Sequence, residues 1–266
     1  MGSKTCSNDM HTILTILCSN LSLVFCIFAV LWLLSLRLRD ASIVDPCWGA
    51  GFVIVAWATY EKLSIPGMRA NLLVALTTIW GLRLSLYLTR RNWGSGEDYR
   101  YHQMRVKHGS RFWWVSLFTV FLLQAALMWF VSWPIQIGML FNESLGSFDL
   151  IGTIICLVGI AFESIGDWQL ARFKSDPRNQ AKVLNNGLWR YTRHPNYFGD
   201  FCVWWGFYLI AASGGAWWTI ASPLVMSFLL MKVSGVTLLE TSIVERRPAY
   251  RDYIEKTNAF FPGPPR

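Results

Sequence analysis

Residues Phe112–Leu140 read FWWVSLFTVFLLQAALMWFVSWPIQIGML, a stretch without a single charged side chain. It exceeds the ~20 residues that an α-helix needs to cross the ~30 Å hydrocarbon layer of a membrane. Backbone N–H and C=O groups that face lipid must be bonded within their own segment, so a stretch of this kind is predicted to be helical. We therefore expect an all-α integral membrane protein.

The rest of the chain has the same character. Of its 266 residues, 53% are hydrophobic and 15% are charged, whereas about a quarter are charged in a typical soluble domain. The apolar residues are grouped in blocks that predict about seven transmembrane helices within one domain, residues 1–266. The predicted spans are 13–36, 46–60, 70–89, 113–140, 147–166, 198–213 and 216–238.

The basic residues concentrate in two loops, 90–111 and 172–196, within a chain of formal net charge +8. The positive-inside rule places these loops and the C-terminus in the cytosol, and the N-terminus outside. A bacterial inner membrane and the endoplasmic reticulum both fit this pattern. Because the loops carry more Lys and Arg than orientation requires, a phosphorylated ligand is predicted there, with lipid headgroups as the alternative. No soluble domain is left over to bind nucleic acid.

The cysteines and histidines predict no metal site. The six cysteines lie mostly inside apolar blocks and show neither paired spacing nor the density of a disulfide framework. The four histidines are scattered along the chain. A lone polar residue in the fourth span, Gln124, is predicted to make a hydrogen bond between helices.

Glu163, Asp167 and Lys174 follow one another at helical spacing where the fifth span ends. Residues four and seven apart share one face of an α-helix. Carboxylates at a membrane boundary are costly unless they have partners. The face therefore indicates either ion pairs between helices or the lining of a cofactor cavity.

A second polar segment begins at Gly187 and continues into the sixth span. His194 and Pro195 suit a turn followed by the first residue of a helix. A helix N-terminus beside Arg190, Arg193 and His194 is a natural anion site, and the carboxylate of Asp200 suits a ribose hydroxyl or an amide.

The sequence GLWRYTRHPNYFGDFCVWWG at 187–206 resembles the C-terminal signature of the steroid 5α-reductase superfamily. The whole chain resembles an uncharacterised branch of it, through IVDPCWG at 43–49, WGLRL at 80–84, RRNWGSGEDYRY at 90–101, GDWQLARFK at 166–174 and the tail at 246–265. The resemblance implies a seven-helix membrane reductase that uses NADPH from the cytosolic side. With the two segments above, it gives a candidate cofactor site of Glu163, Asp167, Lys174, Lys182, Arg190, Tyr191, Arg193, His194, Asn196, Tyr197 and Asp200.

The resemblance also implies a catalytic pair. Steroid reductases use a glutamate on the second span and a tyrosine on the third to polarise the substrate ketone. The corresponding spans offer Asp45 and Tyr87, which are the candidate catalytic residues, with an N-cap of the second helix as the other reading of Asp45. The expected reaction is reduction of a carbon–carbon double bond conjugated to a carbonyl, in a lipid or steroid-like substrate.

Two other functions stay open. Membrane methyltransferases of the isoprenylcysteine or phospholipid type share an Arg-His-Pro-x-Tyr-x-Gly element like 193–199 and bind S-adenosylmethionine there. That family carries two adjacent glutamates on its final helix, whereas Glu240 follows Leu239 here. The third reading is a non-catalytic membrane protein that binds lipid.

Overall fold

The computed structural model describes residues 2–180, 182–233 and 250–265, with side chains from Met10 onward. Within these residues the fold is helical throughout. The α-helices are α1 (Gly2–Leu38), α2 (Cys47–Tyr60), α3 (Met68–Asn92), α4 (Tyr99–His108), α5 (Phe112–Ser116), α6 (Leu123–Val131), α7 (Trp133–Gly138), α8 (Ser147–Ser175), α9 (Pro195–Ser213), α10 (Ala221–Phe228) and α11 (Tyr250–Lys256). A π-helical turn, Leu117–Leu122, joins α5 to α6.

Five helical segments of the described chain are long and apolar enough to cross a membrane: Met10–Leu38, Ala41–Tyr60, Met68–Asn92, Tyr99–Gly138 and Ser147–Ser175. They contain four of the first five predicted spans and cover the fourth, 113–140, as far as Gly138, and they confirm a helical protein of membrane type. The sixth predicted span falls on α9, and the seventh overlaps the shorter apolar helix Trp217–Val233. Residues 234–238 of that span lie outside the described chain, so the count of seven and the orientation stay predictions.

Two compact units make up the chain. The first comprises Met1–Leu145 and Gly214–Ala216, and the second comprises Gly146–Ser213 and Trp217–Arg266. In the first unit, α2 packs along α3, and α1 lies against α6. In the second unit, α8 and α9 pack together along their lengths, and α10 lies on α9.

Glycines let the backbones of α8 and α9 touch. A Cβ added at Gly159 would lie 2.5 Å from the carbonyl oxygen of Gly199, and one at Gly152 would lie 2.7 Å from that of Gly206. The two glycines on each helix are seven residues apart, so they fall on one face. Lipid gives helices no hydrophobic reason to associate, and close packing over small residues supplies the attraction instead.

At the end of the pair where α8 begins and α9 ends, a carboxylate joins the two helices by hydrogen bonds. Asp149, in the first turn of α8, accepts a hydrogen bond from the Gly146 amide at 2.8 Å and one from the Ser213 hydroxyl at 2.5 Å. Asp149 is buried, and the two bonds fix the start of α8 against the last residue of α9.

In the first unit, glycines allow the same close backbone approach between α2 and α3. A Cβ at Gly49 would lie 2.1 Å from the carbonyl oxygen of Gly81. One turn further along α3, the Ser85 hydroxyl accepts from the Ala50 amide at 2.7 Å and donates to the Pro46 carbonyl at 2.6 Å. Ser85 thus bridges two backbone groups in the first turn of α2 and ties α3 to that turn.

We predict that Gly159→Ala destabilises the protein by about 1–3 kcal/mol, because the new methyl group must push α8 away from α9. The control is Ala161→Val, which adds bulk to an exposed position on the same helix. The measurement is thermal unfolding of the purified protein in detergent. Equal melting temperatures for the two variants would contradict the close backbone approach.

Candidate functional site

The carboxylates predicted on α8 point toward α9 in the second unit. Glu163 and Asp167 are both buried, 4% and 3% exposed. The side-chain amide of Asn196, in the first turn of α9, donates to Asp167 Oδ1 at 3.3 Å. The structure therefore brings Asp167 and Asn196 together, and it places Glu163 one turn away on the same face, beside Gly199.

The segment before α9 is held by the C-terminal tail. The Arg193 guanidinium is buried and donates to the backbone carbonyls of Ile254 and Thr257. The Arg193 amide donates to the Asn258 carbonyl at 2.9 Å, and the Thr192 hydroxyl donates to that of Phe260 at 2.8 Å. These bonds give Arg193 a structural task that sequence reasoning did not foresee.

Pro195 is the first residue of α9, as the sequence predicts. The ring of His194 is buried and stacks on that of Tyr197, with centroids 5.5 Å apart and planes 3° from parallel. Asp200 lies one turn beyond Asn196, half-buried. The His194–Tyr197 stack and the Asp167–Asn196 bond thus flank the start of α9.

The remaining members of the predicted cofactor site lie at the surface. Lys174, at the end of α8, is exposed, and so are Lys182, Arg190 and Tyr191 in the segment that leads to α9. Their participation in one site with Asp167 and Asn196 stays a prediction. Glu240, on which the comparison with the membrane methyltransferases rests, lies outside the described residues.

Asp45 lies at the centre of a hydrogen-bonded cluster in the first unit. Its Oδ1 accepts from the Tyr101 hydroxyl at 2.7 Å, and its Oδ2 accepts from the Arg100 guanidinium at 2.8 Å. The Asp45 side chain is 13% exposed and that of Arg100 is 50% exposed. Asp45 follows the turn Ala41–Val44 and precedes α2, so the carboxylate stands where the apolar helix begins.

A glutamine orients the tyrosine from the other side. Trp48 Nε1 donates to Gln124 Oε1 at 2.6 Å, and Gln124 Nε2 donates to the Tyr101 hydroxyl oxygen at 3.3 Å. An indole only donates, so the amide oxygen must face Trp48 and the amide nitrogen must face Tyr101. The predicted interhelical bond of Gln124 is thereby confirmed.

Tyr101 and Arg100 were missed by the sequence reasoning. They belong to RRNWGSGEDYRY, which was noted only as a motif of resemblance, and Gln124 was the available signal because a lone amide in an apolar span needs partners. Tyr87 lies half-buried in the last turns of α3. The tyrosine that the structure bonds to Asp45 is Tyr101.

A second carboxylate, Glu97, fastens α4 to the turn before α2. Its two oxygens accept from Arg105 at 2.7 and 2.8 Å, and Oε1 also accepts from the Ala41 amide at 2.9 Å. Burial alone would raise the pKa of Glu97, but these hydrogen bonds and the charge of Arg105 outweigh it, so the pKa lies below its usual value. Arg105 also lies over the ring of Phe112, 4.5 Å from its centroid.

These features define a class: a multi-span α-helical membrane protein whose ionisable side chains find partners at the ends of its apolar helices. Within that class, the chain belongs to the family described as "Protein of unknown function (DUF1295)", which matches residues 31–257. This family is related to the steroid 5α-reductases.

One relative is the uncharacterized protein C594.04c of Schizosaccharomyces pombe (strain 972). The two are 28% identical over 273 residues, which cover 91% of this chain and 78% of the yeast protein. No solved structure matches the chain.

We predict that Glu97→Gln lowers the free energy of unfolding by about 1.5–3 kcal/mol at neutral pH, the usual loss for a charged hydrogen bond. Because the folded-state pKa is lowered, this contribution is present above the unfolded pKa of about 4.3 and is lost as the pH falls through the folded value. Melting temperatures of parent and variant should therefore converge in acid. The control is Glu255→Gln at an exposed site. A difference in melting temperature between parent and Glu97→Gln that does not change with pH would contradict the lowered pKa of Glu97.

Proposed function

We propose that the protein is an NADPH-dependent membrane reductase of a carbon–carbon double bond conjugated to a carbonyl, in a lipid or steroid-like substrate. The observation that carries the proposal is Tyr101, a residue 7% exposed whose hydroxyl is held between Asp45 and Gln124 beside the start of α2. Relationship to the steroid 5α-reductases supports it.

Bound NADPH would supply a hydride to the β-carbon of the substrate, and negative charge would then develop on the carbonyl oxygen. A positioned donor commonly stabilises such an oxyanion by about 3 kcal/mol. Tyr101 is the candidate donor. Since Asp45 keeps its bond from Arg100, the tyrosine hydroxyl can turn its proton to the substrate without leaving a buried carboxylate unpaired.

The other members of the cluster position Tyr101 or return its proton. Gln124 fixes the phenol oxygen through a bond whose direction is set by Trp48. The Asp45 side chain is 13% exposed, so its carboxyl would take up a proton from water and return it to Tyr101, while Arg100 keeps its charge throughout. Reduction consumes one hydride and one proton, and this arrangement accounts for the proton.

The second unit offers groups that suit the cofactor. Asp167 and Asn196 present a carboxylate and an amide at the start of α9, the chemistry that a ribose or a carboxamide requires. Lys174, Lys182 and Arg190 are exposed cations on neighbouring segments, and Lys and Arg are the side chains that bind phosphate. We infer that these residues hold NADPH.

Catalysis is tested with Tyr101→Phe, which removes the hydroxyl and keeps the ring. We predict a fall in turnover of about 10²-fold, the usual loss of one oxyanion donor, with the NADPH-induced rise in melting temperature unchanged. The assay follows NADPH consumption with a panel of α,β-unsaturated ketones and acyl esters of lipids and steroids. Tyr99→Phe, which alters an exposed tyrosine two residues away, is the matched control.

Asp45→Asn is expected to lower turnover as well, because the amide cannot carry a proton back to Tyr101. Parental turnover in Tyr101→Phe would rule out this donor. No turnover with any member of the panel, despite NADPH binding, would favour a non-catalytic lipid-binding protein.

Cofactor identity is tested by titrating the purified protein with NADPH, NADH and S-adenosylmethionine while following thermal stability. A ligand that binds only the folded state raises the melting temperature with its concentration. We predict a rise with NADPH that Asn196→Ala and Asp200→Ala lose. Asn142→Ala, in the exposed segment that the charge pattern places across the membrane, should keep it. A response to S-adenosylmethionine alone would establish the methyltransferase reading instead.

A further inference from the structure

We propose that the C-terminal end of α8 carries a separate binding site for a phosphate group, in a cleft of about 460 Å³ within the second unit. Arg172 is the residue that would hold the phosphate, and Trp168 and Asn186 line the same cleft. This site goes beyond the proposed reductase activity and does not depend on it.

On α8, the cleft lies on a different face from the candidate cofactor residues Asp167 and Lys174. Asp167 and Lys174 are seven residues apart and share one face, and Asp167 is buried toward α9. Trp168 and Arg172 are four residues apart and share another face. Trp168 is 57% exposed, so this second face opens away from the Asp167–Asn196 bond.

Arg172 has an unused hydrogen-bonding capacity. Its guanidinium lies over the ring of Trp168, 5.5 Å from the centroid, and makes no hydrogen bond or ion pair with the described part of the chain. Stacking on a ring leaves the N–H groups at the edge of the guanidinium plane available. Their planar fork matches two oxygens of a phosphate, which explains why arginine is preferred for this task.

The acidic residue of the cleft is already neutralised. The Asp176 carboxylate accepts hydrogen bonds from Nε and Nη2 of Arg178 at 3.0 and 2.8 Å. An ion pair of this kind removes most of the repulsion that a lone carboxylate would exert on an anion. Asn186 is exposed in the same cleft, and its amide offers a further N–H donor.

Size and position indicate the class of ligand. The volume falls within the range of small-molecule sites, about 300–1,000 Å³. The cleft stands at the end of an apolar helix of membrane-spanning length, Ser147–Ser175, where Trp and Arg side chains meet lipid headgroups. An anionic phospholipid headgroup and a soluble phosphate share the required chemistry.

The experiment measures melting temperature against concentration for dihexanoyl phosphatidate, dihexanoyl phosphatidylcholine, inorganic phosphate and NADPH. The variants are Arg172→Gln and Trp168→Leu. The control is Arg251→Gln, which removes the same charge from an exposed position on α11. All are surface changes in the full chain, so each variant is expected to fold.

We expect phosphatidate to stabilise the parent, and Arg172→Gln to need at least tenfold more of it, while Arg251→Gln behaves as the parent. A response to phosphatidate without one to inorganic phosphate assigns the site to lipid, and a response to both assigns it to soluble phosphates. Unchanged affinity in Arg172→Gln, or an equal loss in Arg251→Gln, would overturn the proposal. Loss of the NADPH response in Arg172→Gln would overturn it too, since the cleft would then belong to the cofactor site.

Discussion

The arrangement of the second unit depends on the contact between the backbones of α8 and α9. Helices in lipid gain nothing from hiding apolar side chains, so they associate where small residues let their backbones meet. At Gly159 and Gly199 no room remains for even one methyl group. The contact fixes the register of the two helices, and the register decides that Asp167 faces Asn196 at one end and that Asp149 faces Ser213 at the other.

The apolar surroundings of a membrane also restrict where polar side chains can lie. A buried polar group without a partner costs several kcal/mol in an apolar medium. In the first unit Asn20 donates to Thr59 and to Gln136, and Gln124 joins Trp48 to Tyr101. Each amide connects residues far apart in sequence. These polar groups of the first unit therefore hold helices together.

The apolar blocks predicted the helices well because hydrophobic length is a property of the local sequence. The α8 carboxylate face and the helix start at Pro195 were predictable for the same reason. The partner of Asp45 was not, because Tyr101 is distant in sequence and belongs to a helix, α4, that is too polar to be recognised as part of an apolar span. Arg193 shows the complementary difficulty: an arginine at a helix start resembles an anion ligand, and only the fold reveals that carbonyls of the C-terminal tail engage it.

The Asp45 cluster bears differently on the three candidate functions. Methyl transfer from a sulfonium needs a group that accepts a proton from the nucleophile, and it gains nothing from a phenol donor. A lipid-binding protein needs neither, and in it Asp45 would serve only to hold α4 against the start of α2 through Arg100 and Tyr101. Reduction of a conjugated carbonyl needs both a donor to the oxygen and a path for its proton. In the proposed reductase Tyr101 would be the donor, and Asp45, whose side chain is 13% exposed, would take from water the proton that restores it. A phenol donor beside a carboxyl therefore favours the proposed reduction over the other two readings.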